Sequence, residues 1–333
     1  MGLHTPIDSH RAYHSSAVEI LDLRHFSSHH LRPLLEQETR VWADMMSWDY
    51  QPSAEMILRY IDSKILPGYA AVEADGRVCG YSFFVYEGSK GVIGDLYADS
   101  ALPSPDGAQS VEQRLAMHVI DTLQRSPGVH RVEAQLLPHK SGMLSQPFLA
   151  EGFRQFPRLF MLLPLTNGRR PEIITPPEIE YRRWVEQDYQ PSAAVITTSY
   201  RGHIDSEIND QYRSLNGSLR FLNNIVRFPG CGVFDGHASF IAIHKPTHSI
   251  AGLLLCSRVR EDVGHVTQVC VLPEHRGKRI AESLIGLCTQ ELRSRRFSAL
   301  SLTVTEANAN AVELYRKLGF ETQRKFDAFV WEG

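Results

Sequence analysis

Apolar and polar positions along this chain form two successive series with the same order. The runs "AVEILDL" (17–23) and "EIEYRRW" (178–184) both read as opening strands. A long helical region follows each, over 28–64 and 189–227. Next come two hairpins, "GYAAVEADGRVCGYSFFVYE" (68–87) and "ASFIAIHKPTHSIAGLLLCSRV" (238–259), with turns at Ala74-Asp75-Gly76 and Lys245-Pro246-Thr247. A third strand (91–99; 264–273), a helix (109–124; 279–294) and a further strand (129–137; 299–307) complete the parallel. Each series closes on a short helix, a Gly-Phe pair and a last strand, where "FLAEGF" (148–153) matches "YRKLGF" (315–320). The pattern predicts one α/β unit used twice, each a mixed central sheet flanked by helices. The strand–helix–strand portion predicts a right-handed crossover between parallel strands.

The helix at 279–294 illustrates the period. Ala281, Leu284, Ile285, Cys288 and Leu292 fall at i, i+3, i+4, i+7 and i+11 and make one apolar face. The polar, proline-rich stretch 166–178 separates the two series. The expected organisation is a loose arm at 1–16, a first domain at 17–165, a linker at 166–177 and a second domain at 178–333.

The segment "PEHRGKRIAESLIGL" (273–287) departs from this bland alternation. It crowds Arg276, Lys278 and Arg279 around Gly277, between a strand and a helix. The free amides of a helix N-terminus, its dipole and a close-approach glycine suit a phosphate. A basic, solvated helix start explains the same residues, and the segment alone leaves both readings open.

Composition narrows the field. The chain has 333 residues and a formal net charge of −3, so no global basic field points to nucleic acid, and an anion site must be local. Five scattered cysteines without a C-x-x-C pair fit neither a disulfide framework nor a zinc site; reduced thiols in the cytoplasm are the simple expectation. No apolar run reaches membrane-spanning length, and the polar N-terminus has no signal-peptide core.

A second motif resolves the first. "NANAVELYRKLGF" (308–320) reads Asn-x-x-Ala-x-x-x-Tyr-x-x-x-Gly-Phe, and it follows the Arg276–Ala281 loop by one strand. Together they resemble motifs A and B of the GNAT superfamily of acyl-CoA-dependent N-acetyltransferases. The detailed likeness covers 264–320, and the element order extends it to 178–333. One position departs: Arg279 stands where the family usually has glycine. The first half resembles the same fold with its site worn away. Its loop 97–115 carries Asp99 and Asp106 and has no Arg-Gly-x-Gly pattern, and Phe148 stands at the tyrosine position. Acidic groups there would repel a diphosphate, so this half is expected to bind no cofactor.

The resemblance implies that acetyl-CoA is bound by Arg276, Gly277, Lys278, Arg279, Ile280 and Ala281, with Asn308 and Asn310 at the pantetheine. It implies that a backbone N–H of this strand, near Val269, Cys270 and Val271, polarises the thioester, and that Tyr315 protonates the departing thiolate. His265 occupies about the place of a family base; a structural strand-end histidine is the other reading. Cys270 reads as a small buried residue rather than a nucleophile. On the acceptor side, Asp205, Glu207 and Asp210 are expected to attract a cationic amine, Tyr200, His203 and Tyr212 to shape its slot, and Gln268 to orient it. The implied function is N-acetylation of a small-molecule or peptide amine. The alternative is a non-catalytic acyl-CoA sensor or scaffold. No metal, nucleic acid or membrane partner is expected.

Overall fold

The computed structural model describes residues 18–99, 109–166, 171–227 and 232–333. The expected arm at 1–16, Asp106, Cys231 and residues 167–170 of the linker lie outside the described residues. The first half runs β1 (Glu19–Asp22), α1 (Ser28–Met46), α2 (Gln51–Asp62), β2 (Gly68–Val72), β3 (Val78–Glu87), β4 (Lys90–Ala98), α3 (Val111–Arg125), β5 (Arg131–Gln135), α4 (Ser145–Ala150) and β6 (Arg154–Pro164). The second runs β7 (Ile179–Arg183), α5 (Tyr189–Ser199), α6 (Asp205–Ile208), α7 (Leu215–Arg227), β8 (Val233–Phe234), β9 (Phe240–His244), β10 (Ser249–Arg260), β11 (Val263–Val271), α8 (Ile280–Ser294), β12 (Ala299–Thr305), α9 (Ala309–Lys317) and β13 (Glu321–Glu332).

Both halves are α/β units with mixed sheets. The pairs β4–β5 and β11–β12 are parallel, and the other pairings are antiparallel. The long helices form where the apolar period predicts. Leu115, Ala116, Val119, Ile120 and Leu123 of α3 pack on the first-half strands, after a Ser110–Gln113 capping box. Leu284, Ile285, Cys288 and Leu292 of α8 pack on the second. The opposite face is covered by α1 and α2 in one half and by α5 and α7 in the other.

Sequence order does not show how the halves join. The strand order is β1-β2-β3-β4-β5-β13-β6-β12-β11-β10-β9-β7, with β8 added on β10. The last strand of each half therefore sits inside the other's sheet: β13 lies between β5 and β6, and β6 between β13 and β12. Exchange converts two exposed edges into one continuous ladder. Alternation along β6 then serves both faces, with Leu159, Met161 and Leu163 in the α8-side core and Phe160 on the other. On that second face the turn after α1 crosses over. Asp49 N–H donates to Val259 O at 2.8 Å, and Trp48 packs edge-on against His265 with ring centres 4.9 Å apart.

The registers of the two halves correspond residue for residue around one feature. Parallel pairing stops at Ile93↔Ala134 in the first half and at Val266↔Leu302 in the second. On the antiparallel side each central strand has a bulge at the same point, between partners Phe83/Phe84 and between Leu255/Cys256. Beyond it, Asp95, Leu96 and Tyr97 correspond to Gln268, Val269 and Cys270. A bulge bends its strand and ends pairing on one side. Here it opens a cleft at the carboxyl end of the strand, where ligands collect in parallel-strand units.

Candidate functional site

In the second half this cleft is a cavity of about 650 Å³. It runs from Arg276, Gly277 and Ala281 at the start of α8, past Val269, Cys270, Val271 and Tyr315, to His265 and Thr303. Asn308 and Asn310 border it from α9, and Tyr200, His203, Asp205 and Gln268 from the acceptor side.

At the α8 end, Gly277 adopts φ +77°, and an added Cβ would meet open space. The left-handed backbone there suits glycine, and nothing blocks a ligand. Among the described residues Arg276 donates to carbonyls, to Val271 O at 3.2 Å and Ser199 O at 2.8 Å, and no carboxylate pairs with it. Arg279 has φ +59°, the conformation that a glycine would adopt readily. Its guanidinium is folded away onto Glu282, with bonds of 2.8 and 2.6 Å, and onto Glu172 at 3.4 Å. The side chain thus leaves the cradle open. Lys278 is paired with Glu178 at 2.9 Å, and Ile280 is 2% exposed within the core. These three side chains do not line the cavity. The resemblance places Lys278, Arg279 and Ile280 at the cofactor; in this structure helix-start geometry turns their side chains outward or inward, and nearby acids hold the charged pair.

In the centre, the edge of β11 facing β12 has no strand partner beyond Val266. Tyr200 donates to Gln268 Oε1 at 3.1 Å, which leaves the buried Gln268 Nε2 as a donor without a partner. A buried unpaired amide is costly and marks a place where a ligand acceptor fits. Tyr315 of α9 is buried against the sheet yet lines the cavity. Burial, and after it the charge of Asp205, raises its pKa above the ordinary phenol value, so it holds its proton. Burial pushes the Cys270 thiol up to about 12, the opposite of an activated nucleophile.

His265 lines the same cavity but sits in an aromatic wall of Trp48 and Phe160, with Nδ1 at 2.9 Å from Ser301 Oγ. Burial, and then the positive charge of Arg158, pulls its pKa down to about 3. At neutral pH the ring is neutral and a poor acceptor for an ammonium proton. The base role that the resemblance implied is not favoured by this setting, because the first half's Trp48 turn removes solvent from the ring.

The acceptor-side segment is divided. Tyr200 stacks on Tyr212 with ring centres 4.4 Å apart. Asp205 accepts from Thr305 Oγ1, and its backbone N–H donates to His203 Nδ1 at 3.2 Å. The His203 and Asp205 side chains therefore meet at the cavity. Asp210 does not join them: it forms an ion pair with Lys90 of β4 at 2.6 Å, and its N–H donates to Glu133 of β5 at 3.1 Å. Glu207 pairs with Arg154 at 3.0 Å. These two acids fasten the acceptor-side segment to the first half.

Among the lining residues that the sequence reading missed are Gln135 of β5 and Arg158 of β6. Both belong to the first half and reach the site only through strand exchange. One signal was available. Arg158 is a cation at an inward-facing position of a strand that is otherwise apolar from Leu159 to Leu163.

Comparison with known proteins fits this geometry. Residues 207–320 match the model of the acetyltransferase (GNAT) family. No curated protein matches the sequence. A GCN5-related N-acetyltransferase from Sphaerobacter thermophilus is similar over 88% of this chain and 91% of its own, with 17% identity and a TM-score of 0.62. A tandem GNAT protein from the clavulanic acid biosynthesis pathway is similar over 95% of this chain and 98% of its own, with 14% identity and a TM-score of 0.58. At these identities the likeness is one of fold, and it extends over both halves. Among the described residues no helix is long and apolar enough to cross a membrane.

Proposed function

We propose, from the match of residues 207–320 to the model of the acetyltransferase (GNAT) family, that the C-terminal half is an acetyl-CoA-dependent N-acyltransferase acting on a primary amine. The observation that carries the reading is the unpaired edge of β11 beside Tyr315 and the orphan Gln268 Nε2, in one cavity with the open Gly277 cradle. The residues fit acetyl-CoA: a glycine turn with open space, a cation without a carboxylate and the N-terminus of α8 suit a diphosphate.

Acetyl-CoA, when bound, supplies an activated acyl group on a thiol leaving group. The backbone amides of Val269 and Val271, which alternate with the β10-paired amide of Cys270, face the unpaired edge as preorganised donors for developing oxygen charge. Tyr315, kept protonated by burial, holds the proton that a departing thiolate needs. Asp205 attracts an ammonium acceptor, and Gln268 Nε2, a donor, meets a hydrogen-bond-accepting oxygen of the bound ligand. Proton removal falls to His203, the cavity histidine with a side chain 28% exposed, rather than to the enclosed His265. Free Cys79, Cys256, Cys270 and Cys288 support a reducing compartment such as the cytoplasm.

A single experiment tests the assignment: thiol release from acetyl-CoA with an amine panel, beside calorimetric titration of acetyl-CoA. Binding with amine-dependent thiol release is the expected result. Binding with no amine turnover favours the sensor reading, which the enclosed His265 supports. Absence of binding sinks both.

A further inference from the structure

The end of the cavity away from the α8 cradle is built by the other half of the chain. Arg158 reaches it from β6 and is joined there by Gln135 of β5. The guanidinium bonds only to neutral oxygens: Gln135 Oε1, and Thr303 Oγ1 at 3.5 Å. Its Nε is buried and has no partner, and no carboxylate lies within ion-pair distance among the described residues. Two neighbouring arginines are saturated by acids, Arg131 on Glu133 and Glu332 and Arg154 on Glu207 and Glu332, and Arg324 of β13 is held by the Leu137 and Pro138 carbonyls. A partly buried cation without a counter-charge costs free energy unless an anion completes it.

The spacing adds chemistry. Thr303 and Thr305 are two positions apart on β12 and so project from the same face. Thr303 holds Arg158 and Thr305 holds Asp205, the acid beside Tyr315. The two threonines that hold the positive and the negative group are thus roughly 7 Å apart along the strand. The negative one is nearer the reacting end.

Resting on the transferase reading above, we propose that the acceptor is zwitterionic: Asp205 takes the amine to be acylated, and Arg158 with Gln135 takes a carboxylate several bonds away. The acceptor class is then an ω-amino acid or a lysine-like or short-peptide acid, not a simple amine. The first half, which lacks a cofactor cradle of its own, is the specificity element for the second.

The test uses the full chain and needs no turnover. Calorimetric titrations compare 6-aminohexanoate and lysine with their carboxamides, in the wild type, Arg158→Gln and Arg158→Lys. The expected wild-type preference for acid over amide is about tenfold, as for one charge-assisted bond pair. It should fall to about twofold or less in Arg158→Gln and partly return in Arg158→Lys. Acetyl-CoA affinity should not change in either variant. No acid preference in the wild type, or one that survives Arg158→Gln, overturns the proposal. It is also overturned if succinyl-CoA outbinds acetyl-CoA in an Arg158-dependent way, because the cation then serves the acyl group. Failure of acetyl-CoA to bind would sink the transferase reading, while the acid-to-amide ratio still judges this site.

Discussion

The two clefts of this protein have the same register and opposite contents. At the position of Gln268 the first half has Asp95, and its carboxylate accepts the backbone N–H of Leu96 at 2.8 Å. The matching amide in the second half is that of Val269, and among the described residues no side chain accepts from it. Leu96 O bonds to His139 Nε2 at 2.6 Å, closing the other backbone group. Tyr97 stands at the place of Cys270, and Phe148, stacked on Phe329 with ring centres 4.1 Å apart, stands where α9 has Tyr315. Behind them Asp95 and Glu38 bind Tyr50, Tyr81 and Trp42 in a sealed network. Burial, and then the charge of Asp95, raises the Glu38 pKa well above the carboxylate range, so it is held neutral. A bulged strand therefore does not make a site. It makes a gap, and the side chains decide whether that gap is satisfied from within or left for a ligand.

The sharpest way to break this comparison is to transfer the self-cap. Gln268→Asp is expected to occupy the Val269 amide and lower turnover by about 10²-fold or more, with acetyl-CoA affinity nearly unchanged. Steady-state rates and calorimetry on the same preparation check it; near-normal turnover would mean that the capped amide is not what separates the halves. Gly277→Glu should weaken CoA binding by about tenfold or more, because it brings charge and bulk into the cradle at a positive φ. Normal titration would move the cradle elsewhere.

Tyr315→Phe, which copies the first half's aromatic, should lower kcat by about tenfold while CoA affinity holds. An unchanged kcat would remove the hydroxyl from the chemistry. In the sealed half, Glu38→Ala is expected to cost about 1–3 kcal/mol by denaturant unfolding, since it strands the Tyr81 and Trp42 donors, with acetyl-CoA affinity intact. A loss of CoA binding there would contradict the division of labour.

A last readout, spread over several pH units rather than seen at neutral pH, is the pH dependence of stability. His265 has a folded pKa of about 3, below the ordinary imidazole value, so the unfolded chain binds the extra proton in between. Its contribution to stability is present above about pH 6.5 and is lost as pH falls toward 3, at up to roughly 1.4 kcal/mol per pH unit. Unfolding curves of wild type and His265→Gln should converge on acidification. Parallel curves would mean that the ring is not enclosed.

Much of this molecule was legible in the residue pattern. The apolar periods of 109–124 and 279–294 located α3 and α8, and Arg276, Gly277 and Tyr315 lie where the motif spacing put them along one cavity. Those features depend on short stretches of chain, where period, turn chemistry and helix ends are set by neighbours in sequence. Local motifs could not reveal that Asp210 would be claimed by Lys90, that Trp48 would enclose His265, or that Arg279 would fold onto Glu282.

The sequence by itself determined two successive α/β units, one with a phosphate-type loop and a motif tyrosine and one without. Tertiary structure alone decided that β6 and β13 exchange sheets, and so that Gln135 and Arg158 from the first unit finish the cavity of the second. The physical reason is that a strand's alternation specifies which residues share a face. The identity of the neighbouring strand depends on which distant edge it pairs with, and that choice is made only when both sheets are present.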